Sequence, residues 1–379
     1  MRGPPLLVLP LLVLLACSAE PGGAEPDGEG VGGSSATGGG ASTGGSGPGV
    51  GTGGGPSGGA GSGGAPGSGG AEDPSVEIDC DLPELSAPLD EPTELLQVVP
   101  WAGRQAAISY TFDDGNSSQI QNYDVLNALG VPFTFYLVTN WGGAQSSIWE
   151  QAIVDGHEIG NHSHTHPEAG SGADLDAATQ FIETNFDVTP LTMAVPYGNA
   201  SYAPLAASRF LFNRGVGGGS IASQGAQDPY NLPTHVPAAN ANKAELDGAV
   251  SSAVAQGRWQ TMTIHGFTGG SDGAYQPIPL NDFVEHVRGQ RDSGWVWIDT
   301  LLDVGAYLIG HQLLTAAAPE VSGAGSTWSW TLPDHFPAGR CLRVQSSGRV
   351  FQDERPITEN SLGYYELALD AGHVTIVAE

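Results

Sequence analysis

Apolar residues through the middle of the chain fall alternately into short unbroken runs and three-residue spacings, which predicts strands and helices in turn. Residues 108–112 (ISYTF) join β-branched and aromatic side chains and predict a strand that ends at Asp113, Asp114 and Gly115. Ile120, Tyr123, Leu126 and Leu129 recur every third residue, which predicts one helix stopped by Gly130 and Pro132. Residues 133–138 (FTFYLV) are continuously apolar, as a strand covered on both faces would be. A short helix over 148–154 comes next, and Ile159 then leads into the stretch GNHSHTHP at 160–167. Asp174 is placed to cap a helix running to about Asn185. Residues 191–195, 211–216, 261–265 and 295–299 supply further strands. Between the last two, Leu280, Phe283, Val284 and Val287 mark an amphipathic helix behind Pro279.

Alternating strands and helices predict an α/β fold, either a β/α barrel or a doubly wound open sheet. The three glycines at 217–219 follow a strand but lack the spacing of a dinucleotide-binding loop. After about residue 309 the period drops to two. Residues 327–332, 341–344, 348–351, 364–369 and 374–377 predict short strands of a small β-module over 316–379. A module of this size has a marginal core of its own and should pack on the preceding domain. Trp328 and Trp330 point to one side of their strand, as core residues or as a surface for stacking sugars.

The candidate chemistry sits at two strand ends. Asp113 and Asp114 are adjacent carboxylates that repel each other, so they form either a solvated turn or a pair offset by a metal. His162 and His166 are four apart, the offset that brings two side chains to one face of a helical turn. Neutral imidazole is a common zinc ligand, and three protein ligands leave the open position of a catalytic site.

Four motifs in order carry a resemblance: TFDDG at 111–115, HSHTH at 162–166, PYG at 196–198 and IHG at 264–266. Over residues 106–309 the chain resembles the NodB-like polysaccharide deacetylases, the metal-dependent hydrolases of carbohydrate esterase family four. The resemblance implies a distorted, incomplete (β/α)7-type barrel, here the catalytic domain at 76–315. It implies that Asp114, His162 and His166 hold a divalent metal, zinc first, with cobalt or another divalent ion as alternatives. It also implies Asp113 as general base toward water, the Tyr197 backbone N–H as oxyanion donor, and His265 as general acid. The substrate would be an acetylated polysaccharide. A non-glycan C–N hydrolase and a non-catalytic glycan-binding lipoprotein are the alternatives.

Two departures stand out. Ala194 occupies the place of an arginine that orients the base in many relatives. Arg214 is a substitute on the next strand pattern, although a surface arginine is the simpler expectation. The supporting Asp-Trp motif of the general acid is missing, with Asp299 as stand-in. His164, between the two ligands, is left out of the site.

Composition extends the picture at the front of the chain. Of 379 residues 57 are glycine, concentrated before residue 75. Residues 1–17 pair one arginine with a short apolar run ending Leu-Leu-Ala-Cys, and predict a signal peptide closed by a lipobox-like site with Cys17 lipidated. Residues 18–75 lack the apolar side chains needed to fold and predict a flexible tether. The expected location is the bacterial cell envelope, the outer membrane first, or secretion, and the membrane is met only through the lipid. Net charge is −29, with 41 acidic residues against 12 basic ones, which excludes a nucleic-acid binder that tracks phosphates. A monomer is expected. In an oxidising compartment the two remaining cysteines, Cys80 and Cys341, are free to pair.

Overall fold

A computed structural model describes residues 75–378. The signal peptide, the lipobox with Cys17 and the linker up to residue 74 lie outside these described residues.

The chain enters through β1 (Leu96–Val98) and then β2 (Ala106–Phe112), every residue of which is buried. Two short helices, α1 (Ser117–Gln121) and α2 (Tyr123–Asn127), lead to β3 (Thr134–Leu137), also wholly buried. Next come α3 (Ile148–Val154), β4 (Glu158–Asn161), α4 (Gly172–Phe186), β5 (Thr192–Ala194), α5 (Ala203–Ala206) and β6 (Phe212–Arg214). The second half holds β7 (Ile221–Ala222), α6 (Lys243–Ala255), β8 (Arg258–Ile264), α7 (Leu280–Ser293), β9 (Val296–Ile298) and α8 (Leu301–Ala316).

Among the described residues seven strands run parallel, in the order β6-β5-β4-β3-β2-β8 with β9 joined to β2. Strand β9 pairs with residues 106–108 of β2, while β3 pairs with Thr111 and Phe112, so β9 wedges the sheet open at its lower end. The sheet then curls back on itself. Arg214 of β6 bridges to Leu232, and His235 bridges to Met262 of β8, so the segment 232–235 closes the gap between the outer strands. This is the distorted α/β barrel expected from the sequence. Its strands are covered on both faces, which is why 133–138 read as unbroken apolar sequence.

The β-rich end contains β10 (Glu320–Ser322), β11 (Gly325–Ser329), β12 (Cys341–Ser346), β13 (Gly348–Gln352), β14 (Arg355–Pro356), β15 (Tyr365–Ala368) and β16 (His373–Ala378). The N-terminal described segment also touches these strands. Strand β1 pairs antiparallel with β12, Val76 bridges to Ile357, and Cys80 is bonded to Cys341. Val76, Cys80 and β1 are thereby tied to the C-terminal strands. One apolar cluster also runs through both parts, joining Trp101, Phe212, Trp259 and Leu301 to Leu342, Val344, Leu367 and Ile376. A module this small gains its core by sharing one. Trp330 is part of that cluster, and its indole N–H donates to the Leu369 carbonyl at 2.9 Å, so it is core and not a sugar platform.

Local departures have local causes. The single helix expected over 120–129 breaks at Asn122, whose side-chain amide donates to the Ser118 carbonyl at 2.7 Å. Ser171, not Asp174, caps α4, accepting from the Asp174 N–H at 3.2 Å. Helix α8 was not anticipated because it is buried on most of its faces, between barrel and C-terminal strands, and so shows no polar stripe.

Two expected results follow from this architecture. The Cys80–Cys341 bond closes a loop of 261 residues. Replacing both cysteines by serine should lower stability by roughly 2–5 kcal/mol, measured as a lower urea midpoint; an unchanged midpoint would show the shared core holds these segments alone.

The second concerns Glu158, at the start of β4. Its carboxyl accepts from Thr134 Oγ1 at 2.8 Å, from the Leu302 N–H at 3.1 Å and from Thr192 Oγ1. Burial outweighs these donors and raises its pKa from 4.5 to about 7. The native state thus holds this proton more tightly than the unfolded chain. The associated stability is complete below about pH 4.5 and is lost as pH rises through about 7. Glu158→Gln removes that loss. Its stability relative to wild type should rise by about 3 kcal/mol between acid and mildly alkaline buffer, read by urea titration. A flat difference would mean the three donors keep Glu158 ionised.

Candidate active site

The two carboxylates stand where β2 ends. The Asp113 N–H donates to the Ile264 carbonyl of β8 at 3.0 Å, so strand pairing fixes its backbone. The chain then turns through two left-handed residues, Asp114 (φ 79) and Gly115 (φ 74). The loop after β3 packs on this turn so closely that a Cβ on Gly143 would lie 2.0 Å from the Gly115 carbonyl oxygen. Only glycine fits there. Both acids are buried, with Asp113 3% and Asp114 8% exposed.

His162 and His166 follow β4, but no helix presents them. Ser163 (φ 65) and His166 (φ 53) bend the backbone into an irregular turn. The turn is held by the His166 N–H donating to Ser163 Oγ at 3.0 Å. Asp174 holds it from outside, accepting from the His164 N–H (2.9 Å), the Thr165 N–H (3.3 Å) and the Thr165 hydroxyl (2.7 Å). The four-residue offset still converges the two imidazoles, by a loop rather than by helical periodicity. His164 faces away and pairs with Thr139 Oγ1 at 2.8 Å.

Asp114, His162 and His166 each bring a donor atom to within 4.8 Å of the others. His162 Nε2 lies 3.5 Å and His166 Nε2 3.9 Å from Asp114 Oδ1. The Ala194 carbonyl, 2.9 Å from His162 Nδ1, accepts a hydrogen bond and so places the proton there, leaving the Nε2 lone pair directed at the cluster. Asn116 donates to Asp114 Oδ2 at 3.0 Å and leaves Oδ1 for the cluster. Two imidazole nitrogens and one carboxylate oxygen suit zinc or a related divalent ion. His166 is oriented differently: its Nδ1 is buried without a partner, and its ring is held between Trp141 (5.3 Å) and Tyr197 (4.5 Å). Burial, followed by the neighbouring His162, lowers the His166 pKa to about 4, which keeps the ring neutral.

Arg214 is not a surface residue. It is fully buried, and its Nη2 donates to Asp113 Oδ1. Register explains how it arrives: Arg214 pairs directly with Ala194 across β5 and β6, so the small side chain at 194 leaves room for the guanidinium. Burial pushes the Asp113 carboxyl up, but Arg214, then His162 and His265, outweigh it and hold the group below its ordinary value. On the other flank, His265 Nε2 lies 3.8 Å from Asp113 Oδ2. Its backbone carbonyl accepts from Asn116 (2.9 Å) and Gln119 (2.8 Å), and Gln119 also donates to the Asp113 carbonyl at 2.6 Å. These two amides tie both residues into one frame. Asp299 does not support His265. Its carboxylate accepts from Trp297 Nε1 (3.0 Å) and the Thr300 N–H (2.8 Å), and its own N–H meets Ile108, well down β2. Tyr197 sits in a tight turn at φ 54, with its ring half-exposed beside His166.

The structure thus gathers Asp113, Asp114, His162, His166, Tyr197 and His265 around one centre. It adds Arg214, Asn116, Gln119 and Asp174, of which the sequence marks Arg214 as a candidate partner of the base and Asp174 only as a helix cap.

Comparisons with known proteins point the same way. Over 95 residues the chain is 32% identical to a chitooligosaccharide deacetylase of Sinorhizobium fredii, covering 24% of this chain and 44% of that protein. Over 108 residues it is 32% identical to the peptidoglycan-N-acetylglucosamine deacetylase PgdA of Listeria monocytogenes, covering 26% of this chain and 23% of that protein. The chain therefore spans less than half the length of these curated relatives. Among solved structures, a putative polysaccharide deacetylase from Mycobacterium smegmatis aligns with a TM-score of 0.44 and 16% identity, over 65% of this chain and 100% of that one. Residues 102–211, which hold both carboxylates, both loop histidines and the Pro-Tyr-Gly turn, match the polysaccharide deacetylase family.

Proposed function

We propose that this protein is a metal-dependent hydrolase that removes N- or O-linked acetyl groups from a polysaccharide. The observation that carries the reading is the convergence of a metal-competent Asp114–His162–His166 set with Asp113, itself flanked by Arg214 and His265.

When bound, a divalent cation, zinc first, supplies Lewis acidity, polarising the acetyl carbonyl and acidifying water beside it. Asp113 takes a proton from the attacking water as its oxygen bonds to the carbonyl carbon, and Arg214 keeps that carboxylate ionised and aimed. The Tyr197 backbone N–H steadies the tetrahedral oxyanion. His265 then gives a proton to the departing nitrogen or oxygen as its bond to carbon breaks, releasing acetate. Burial lowers the His265 pKa although Asp113 and Asp114 oppose it, which makes the imidazolium a stronger acid but the neutral ring the more populated form, so His265 must gain a proton before it can donate one. The reading of a degraded, purely binding site rested on Ala194, and Arg214 removes that motive.

Export, with a lipid anchor at Cys17, belongs to the same proposal. The Cys80–Cys341 bond supports an oxidising compartment.

The test is acetate release by the full-length chain from a panel of N- and O-acetylated glycans, with and without chelator. Release that chelation abolishes and zinc restores is the expected result. A metal-bound but silent protein on every substrate would return the reading to glycan binding without catalysis.

A further inference from the structure

Below the carboxylates, the barrel interior holds buried polar side chains that the reaction above does not use. One of them comes from the apolar run at 133–138. Phe133, Phe135 and Leu137 join the apolar cluster that packs with the helices. Tyr136 has the opposite parity, so it faces the barrel interior, where it is fully buried.

The Tyr136 ring is held at both ends. It lies across its register partner on β4, Gly160, where a Cβ would be 2.3 Å from Tyr136 Cε1. Only glycine leaves that space. The hydroxyl reaches on to β5 and pairs with Thr192 Oγ1 at 3.0 Å, and Thr192 donates to Glu158. Glu158 also takes the Leu302 N–H at 3.1 Å, so the line of contacts ends in the first turn of α8. The ring is wedged against β4 and anchored at its far end.

Arg214 lies over this ring, its guanidinium carbon 5.6 Å from the ring centroid. Asp113 and Arg214 stand on β2 and β6, with β3, β4 and β5 between them, so the arginine must cross the interior to reach its carboxylate. Its hydrogen bonds are few. Nη2 donates to Asp113 Oδ1 and Nη1 to the Gly215 carbonyl at 3.0 Å, while Nε is buried without a partner. A buried cation with so few partners is costly, and the negative face of an aromatic ring offsets part of that cost. A long side chain with several rotatable bonds also keeps its aim only if something supports it along the way.

We propose that Tyr136 is the seat of Arg214: its ring holds the guanidinium where Asp113 can accept from it, which makes Tyr136 a positioning residue for the general base. Because Ala194 leaves β5 without an arginine, the base is served from β6, and the longer approach is what the seat supports. A ring that merely filled space would be replaced without loss by an apolar side chain of similar volume. The role of Asp113 as base rests on the deacetylase reading above.

The test uses the metal-loaded full-length chain. Tyr136→Met fills most of the same volume without a π face, and Tyr136→Phe keeps the face without the hydroxyl; Tyr136→Leu replaces the methionine variant where that one does not fold. In Tyr136→Met, kcat for acetate release falls by about 10- to 100-fold, while KM stays within about twofold of wild type and metal occupancy is full. Tyr136→Phe keeps kcat within about threefold. Added to Arg214→Ala, Tyr136→Met lowers kcat no further, since the group it seats is gone. A crystal structure of Tyr136→Met gives a reading free of turnover, with the guanidinium displaced from Asp113 Oδ1. An unchanged kcat in Tyr136→Met, or a guanidinium still bonded to Asp113 in that crystal, would overturn the seat. So would losses that multiply with Arg214→Ala, which mark Tyr136 as a packing residue. If wild type releases no acetate from any substrate while the guanidinium is displaced in the variant crystal, the seat stands and the deacetylase reading falls.

Discussion

Asp113→Asn should lower kcat for acetate release by about 10³-fold or more, within the range of a positioned general base, while the protein still folds and still binds its metal. The carboxylate is 3% exposed and close to three cationic or ionisable partners: Arg214, His162 and His265. An amide keeps its shape and can still accept from Arg214, but it cannot take a proton from water. It also lies outside the Asp114–His162–His166 set, so metal stoichiometry should not change. Paired measurements of kcat and bound metal check this. Loss of metal together with activity would place Asp113 among the ligands, and retained activity would place the base elsewhere.

Arg214→Ala should have the second largest effect, on both stability and rate. It removes one member of a fully buried ion pair and leaves the Asp113 charge without its main compensation. Breaking such a pair costs about 3–5 kcal/mol, and misplacing a catalytic group by about 1 Å costs roughly 10²-fold in rate. A simple loss would not separate positioning from folding, so the decisive variant is Ala194→Arg added to Arg214→Ala. Residues 194 and 214 are direct register partners on neighbouring parallel strands, and their side chains rise from the same face of the sheet. A guanidinium entering from position 194 reaches into the space vacated by the other. Recovery of about tenfold or more of the lost kcat is expected, on the scale of a charge-assisted hydrogen bond of about 1.5–3 kcal/mol. If stability returns without kcat, Arg214 is a structural counterion and the aim of Asp113 is set by His265 and Gln119.

Most of the barrel and half of the site were legible in the amino-acid order, for a physical reason. The order alone determined what depends on near neighbours: the doubly covered strand at 133–138, the paired acids at a strand end, the two histidines four apart, and the shift to period two after residue 309. Strand burial and short-range ligand spacing are written within windows of a few residues. Tertiary structure decided what depends on residues far apart. Arg214 meets Asp113 across 101 residues, Asn116 and Gln119 reach His265 across 149 and 146, and Cys80 finds Cys341 across 261. It also decided that β1, far away in sequence, joins the C-terminal strands, where it supplies a partner for one edge of β12. Helix α8 stayed hidden because burial on most of its faces erases the polar stripe by which a helix is read. The turn that carries His162 and His166 was misread as helical, since a four-residue offset fits both a helix and a loop tied down by Asp174. Only the positive φ values of Ser163 and His166, and the carboxylate that holds them, distinguish the two.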